Sequence, residues 1–240
     1  MILKPKRHLP VHDWQKHLRA LRDTALDPRL ARFYQTDWPD PETPLAELSM
    51  VALDIETTGL DSRQHAIVSI GIVPFTLQRI DCSKAWYQLV RPHGQLIDES
   101  VTFHRITHTE IWQAPRFIAV LESFLEQLAG KVAVVHYRNI ERNFIDAAVR
   151  YELEEGLVFP MIDTMDLEAR LHPGRQPGWL LRLLGRKPLS IRLDDSRRRY
   201  GLPQYQAHHA ATDALATAEL LQAQVATHFS PELRLGEVWR

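Results

Sequence analysis

The run Met50-Val51-Ala52-Leu53-Asp54-Ile55-Glu56-Thr57-Thr58-Gly59-Leu60 constrains this chain more than any other segment. Val51, Ala52 and Leu53 read as a buried strand. Side chains alternate along a strand, so an acid at its end and a second acid two residues later, Asp54 and Glu56, share one side of the sheet. Two carboxylates held side by side repel, and one stays protonated unless a cation relieves them. The pair therefore reads first as a metal platform and second as an acid/base dyad. In the following turn, Gly59 lets the backbone approach a ligand closely.

The rest of the 240-residue chain, 45% hydrophobic, supplies one substantial core and an extension. With 29 Lys and Arg against 30 Asp and Glu, the net charge is -1, so any attraction to nucleic acid must come from local patches. The single cysteine, Cys82, excludes an internal disulfide and a cysteine-built zinc cage, and fits a reducing compartment. No segment reaches the roughly 18 apolar residues that span a bilayer, so we expect a cytoplasmic protein without membrane contact.

Apolar residues Trp14, Leu18, Leu21, Leu26, Leu30 and Phe33 recur at helical spacing and end in the breaker cluster from Asp37 to Pro44. We expect residues 1–45 to be a helical extension and linker docked on a main domain of residues 46–240. That domain opens with strand-like segments over Ser49 to Asp54, Ala66 to Phe75 and Ala85 to Pro92, an antiparallel meander. Beyond it we expect a helix from Ala114 to Leu128, a strand over Lys131 to His136 and a helix from Ile140 to Glu152. A short apolar segment at Met161-Ile162-Asp163 and a helix from His209 to Gln224 complete the pattern, an α/β architecture with a mixed sheet.

Two further segments carry chemistry. On one continuous helix His208 and Asp213 would point about 140° apart, so they converge only if His208 lies in the loop before the helix. A loop histidine can then take a proton while the helix aspartate holds an ion, and Ala210, Ala211 and Ala214 let that helix lie close to the sheet. In the segment from His136 to Asp146 a strand ends and a helix begins, where side chains of α/β sheets gather around a site. Glu141 and Asp146 are five residues apart there, so only one of them can face the site.

Taken in order, the Asp54 to Leu60 motif, the His136 to Phe144 element and His208 followed by Asp213 resemble the DEDDh 3′–5′ exonucleases, the DnaQ-like family of polymerase III epsilon proofreading subunits and ribonuclease T. The resemblance spans about Ser49 to Gln224. It implies a ribonuclease H-like mixed sheet flanked by helices, and hydrolysis at 3′ ends of single-stranded DNA or RNA, DNA favoured, with two Mg²⁺ or Mn²⁺ ions. It makes Asp54, Glu56 and Asp213 metal ligands and His208 the general base, with His209 a neighbour facing outward. Where relatives carry His-Asn-Ala-x-Phe-Asp, this chain reads His136-Tyr137-Arg138-Asn139-Ile140-Glu141, so the fourth acid is a glutamate, Glu141 rather than Asp146. Thr57, Thr58, Gly59 and Leu60 would meet the substrate, Leu60 packing on terminal bases, and Phe103 or His104 would stack on a base. Nine basic residues, Arg170, Arg175, Arg182, Arg186, Lys187, Arg192, Arg197, Arg198 and Arg199, face only Asp194 and Asp195 between Arg170 and Tyr200, a segment that could track phosphates.

A second reading keeps the fold and weakens the catalysis, making the chain a nucleic-acid-binding partner of a polymerase or repair complex through its N-terminal arm. The Glu141 substitution favours it; the intact Asp54, Glu56, His208 and Asp213 oppose it. A third, an endonuclease or integrase of the same fold, is disfavoured by a histidine five residues before the last aspartate.

Overall fold

The computed structural model describes residues 13–93, 106–174, 188–206 and 208–240. Its centre is a five-stranded sheet of β1 (Met50–Thr57), β2 (Ile67–Phe75), β3 (Trp86–Leu89), β4 (Val132–Val135) and β5 (Met161–Asp163), in the order β3-β2-β1-β4-β5. The meander β1-β2-β3 is antiparallel, while β4 and β5 add parallel to β1. Val51, Ala52 and Leu53 are fully buried because β1 lies second from neither edge but at the centre, covered on both faces.

The strand runs three residues further than expected, so Asp54 lies within it and Glu56 near its end; a register shift between Glu56 and Thr57 then releases the chain into its turn. Asp54 is paired with Gly71 of β2 and Glu56 with Ser69. Opposite residues of an antiparallel pair share a face, so both acids and Gly71 lie on one side.

Helices α1 (Trp14–Thr24) and α2 (Pro28–Tyr34) begin at Asp13 and Asp27, whose carboxylates accept backbone N–H bonds from Lys16 and Arg29. Trp14, Leu18, Leu30, Phe33 and Tyr34 join the same apolar cluster as the sheet. Leu45 N–H donates to Leu233 O and Leu235 N–H to Thr43 O, so the segment after α2 is laced to the far end of the chain.

Helix α3 (His108–Gln113) opens with a capping box between Thr107 and Glu110, and α4 (Phe117–Leu128) follows. The expected start at Ala114 is displaced because Ala114 closes α3 and precedes Pro115, where helical backbone is disfavoured. Helix α5 (Asn139–Leu153) follows β4, and α6 (Thr164–Leu171) follows β5 directly, capped by the Asp163 carboxylate. Next come α7 (Leu193–Arg199), α8 (Ala210–His228) and α9 (Leu235–Val238).

Helix α8 lies against β1 and β2, and Gly71 permits it: a Cβ there would stand inside 3.0 Å of the Ala210 and Ala211 backbone. Ala210, Ala214 and Ala218 are buried on the sheet, while Ala211 is only half-buried. Among the described residues no helix is long and apolar enough to cross a membrane.

Candidate active site

The close approach of α8 to β2 delivers its first turn to the acids of β1. One ligand oxygen from each of Asp54, Glu56 and Asp213 lies within 4.8 Å of the others. No covalent neighbour enforces this: 156 residues of chain lie between Glu56 and Asp213, and the meeting is set by Gly71 and the small residues of α8. Burial, then the charges of Glu56, Asp213 and Glu141, hold the Asp54 carboxyl well above the usual carboxylate range. Burial also pushes Asp213 up to about 6, against the opposing pull of a backbone N–H bond from His208. Crowded, desolvated carboxylates that favour protonation are the electrostatic signature of a cation site, and the oxygen-only donor set suits a hard divalent ion.

Glu141 stands in the first turn of α5, 2% exposed, and is not within 4.8 Å of all three of those acids. Its charge nevertheless contributes to the upward shift of Asp54. Burial drives the Glu141 carboxyl well above its ordinary value, and its Oε2 has no hydrogen-bond partner among the described residues. A buried carboxylate oxygen left in that state is costly unless something occupies the space before it. Asp146 is directed elsewhere. Its Oδ2 accepts from Arg150 Nε at 2.8 Å, and its Oδ1 occupies the space a Cβ on Gly156 would need.

His208 precedes α8, in left-handed backbone at φ 69°, and its N–H donates to Asp213 Oδ2 at 2.8 Å. The loop position brings the two residues together where a continuous helix would have separated them. His209 is exposed, and its ring stacks on Tyr87 of β3, centroids 4.6 Å apart and planes 16° apart.

The turn after β1 is internally braced. Thr57 Oγ1 donates to Gly59 O at 2.7 Å, and Thr58 exchanges backbone and side-chain bonds with Ala66. A Cβ at Gly59 would stand 2.6 Å from the His65 ring, so a larger residue there requires that ring to turn aside. Leu60 projects from this turn, 86% exposed. Phe103 and His104 lie outside the described residues.

Four residues of the basic stretch, Arg170, Arg197, Arg198 and Arg199, are engaged in ion pairs. Arg197 is buried, donating to Ala216 O, Pro203 O and Glu219; Arg199 binds Glu168 and Ser190 O; Arg170 pairs with Asp166 and Arg198 with Asp195. Arg197 and Arg199 fasten α7 to α8 and to α6 through acids that composition along the chain does not reveal, while Arg170 and Arg198 pair within their own helices. Arg192 is exposed, and Arg175, Arg182, Arg186 and Lys187 lie outside the described residues.

Along the sequence Asp163 is no more than the end of a short apolar segment. It caps α6 and also accepts from the Tyr137 and Arg138 backbone N–H groups, at 2.9 and 3.1 Å, and from Arg138 Nη1. It thereby fixes the entry into α5 just before Glu141. The Asp-Thr-Met-Asp run after an apolar pair is a helix-start signal that points to this role. His136, beside it, binds Thr164 Oγ1 and Ile191 O through its two ring nitrogens, and burial lowers it to about 4.

Known proteins match this arrangement. The exonuclease family model RNase_T covers residues 51–221. The DNA polymerase III subunit epsilon of Treponema pallidum is 27% identical over 181 residues, 75% of this chain and 78% of that protein. The PolC-type DNA polymerase III of Bacillus subtilis is also 27% identical, over 74% of this chain, yet this chain spans only 11% of that relative. Among solved structures, the nuclease domain of 3′hExo, a DEDDh family member bound to rAMP, superposes with a TM-score of 0.60 at 15% identity, over 78% of this chain and 94% of that one; this likeness bears on the fold. The family match runs through every carboxylate of the cluster and most of the sheet, and the chain belongs to the RNase_T exonuclease family.

Proposed function

We propose that this protein is a metal-dependent 3′-to-5′ exonuclease that releases nucleoside monophosphates from 3′ ends of single-stranded nucleic acid. The observation that carries the reading is the convergence of Asp54, Glu56 and Asp213, far apart in the chain, to within 4.8 Å. DNA is the favoured substrate, supported by the polymerase III relatives.

Asp54, Glu56 and Asp213 would hold Mg²⁺ or Mn²⁺, with Glu141 as the fourth acid; its orphaned, buried Oε2 supports that part. Bound there, such ions would activate the attacking water and stabilise the departing 3′-oxygen. The chain's own residues do the rest. His208, placed by its bond to Asp213, accepts the proton of the attacking water at an imidazole nitrogen, and so must be neutral. The braced Thr57–Gly59 turn presents backbone to the terminal nucleotide, and exposed Leu60 packs on its base.

A labelled oligonucleotide with a free 3′ end tests this. Shortening from that end in Mg²⁺ or Mn²⁺, its loss in EDTA, and a fall of more than a hundredfold in folded Asp54→Ala or His208→Ala are expected, in line with roughly 10²–10⁴-fold acid–base contributions. Undiminished hydrolysis by Asp54→Ala rules the reading out. The position of Glu141 outside the tight triad favours a second reading, a weakly active partner of a polymerase or repair complex. A retarded but intact strand would support it.

A further inference from the structure

Reading His208 as the proton acceptor leaves a question that the fold itself answers: what holds a residue with left-handed backbone, which L side chains disfavour, in register with the acids. The loop containing it is pinned on both sides. Upstream, Arg197 donates to Pro203 O at 2.7 Å and lies over the Tyr205 ring, 4.8 Å from its centroid, while Tyr205 Oη donates to Glu219 Oε1 at 2.8 Å. Downstream, the adjacent residue His209 is the N-cap of α8 but makes no side-chain cap bond; its ring stacks on Tyr87 instead.

The position of Tyr87 follows from the sheet register. Asp54 pairs with Gly71, and Gly71 pairs with Tyr87, so the three form one row across β1, β2 and β3 on the face that meets α8. Since Gly71 lacks a side chain, the Ala210 backbone settles directly upon it, and His209 is carried over the neighbouring Tyr87 ring. The same row thus supplies a carboxylate, a seat for the helix and an aromatic rest for the residue beside His208. Tyr87 is 37% exposed on an edge strand, its ring against His209 and its hydroxyl toward Ser69 on the same face of the sheet.

We propose that Tyr87 is a positioning residue for the hydrolytic site, acting through its stack with His209 to hold His208 in its backbone bond to Asp213. This rests on the assignment of His208 as base, and the experiment keeps the two separable. Steady-state release of nucleotide from a labelled oligonucleotide is measured for the full chain and for Tyr87→Ala, Tyr87→Phe, His209→Ala, His208→Ala and the Tyr87→Ala/His208→Ala double variant.

A displacement of about 1 Å at a reacting group can cost on the order of a hundredfold, so we expect kcat to fall roughly ten- to a hundredfold in Tyr87→Ala with KM little changed. Tyr87→Phe, which keeps the ring, should restore kcat to within about twofold, as expected if stacking and not the hydroxyl is responsible. In the His208→Ala background, Tyr87→Ala should cost nothing more, because residues acting as one unit are not additive. Should Tyr87→Ala fail to fold, His209→Ala removes the exposed half of the same stack and must give the same kcat loss. The proposal is overturned by wild-type kcat in either single variant, by Tyr87→Phe as slow as Tyr87→Ala, or by a full additional loss in the double variant. If His208→Ala itself retains full activity, the assignment of the base fails instead.

Discussion

Replacing Gly71 with alanine would test whether the acids are brought together by backbone packing, because the substitution touches no ionisable group. A Cβ at Gly71 would lie inside 3.0 Å of the Ala210 and Ala211 backbone, where ordinary contact begins at 3.4 Å. Backbone cannot rotate aside as a side chain can, so the start of α8 must withdraw by about 1 Å, at an overpacking cost of about 1–3 kcal/mol. Asp213 sits one turn along that helix and Asp54 directly across from Gly71, so the full displacement falls between the carboxylates. Misplacement on this scale can cost on the order of a hundredfold in rate. Hydrolysis of a labelled oligonucleotide by folded Gly71→Ala should therefore fall by roughly that factor, and the rise in thermal midpoint on adding Mn²⁺ should shrink with it. Gly174→Ala, where an added Cβ meets nothing within 4 Å, serves as the silent control. Wild-type turnover and an unchanged Mn²⁺ response in Gly71→Ala would refute the reasoning.

The raised carboxyls of Asp54 and Asp213 make the metal-free fold pH-dependent. Between the ordinary carboxylate pKa and about 6, Asp213 binds more protons folded than unfolded, so stability falls as pH rises through that window; thermal melts in EDTA should show the decline, Asp213→Asn should flatten it, and Mn²⁺ should reverse it. His136, lowered to about 4, acts in the opposite direction, destabilising the fold as pH drops from about 6.5 toward 4, and His136→Gln should remove that part of the acid limb. Glu141 and Asp146 should separate cleanly: Glu141→Gln weakens the Mn²⁺-induced thermal shift with little loss of metal-free stability, whereas Asp146→Asn lowers the metal-free midpoint by breaking the Arg150 pair and leaves the Mn²⁺ shift intact. An Asp146→Asn variant with a lost Mn²⁺ response would reverse that assignment.

Much of this arrangement was legible in the chain because the relevant signals are local. Alternation along β1 placed Asp54 and Glu56 on one side, the helix period required His208 to precede α8 if it is to meet Asp213, and the apolar runs gave the meander and the strand after it, while the pairing of Met161–Asp163 as a fifth, parallel strand appears only in the fold. What escaped depends on partners distant in sequence. Gly71 is an ordinary glycine in a strand until α8 rests on it, and Tyr87 an ordinary edge aromatic until His209 covers it. Arg197 and Arg199 look along the chain like part of a phosphate-binding face, yet in space Glu219 and Glu168 pair with them from elements that composition cannot bring near. Helix ends moved where proline rules outweigh periodicity, as at Ala114-Pro115.

The most direct test is anomalous diffraction from a crystal soaked in Mn²⁺. Two peaks are expected among Asp54, Glu56, Asp213 and Glu141, beside the His208 ring. Strong manganese density elsewhere, with none between these carboxylates, would contradict the proposed chemistry.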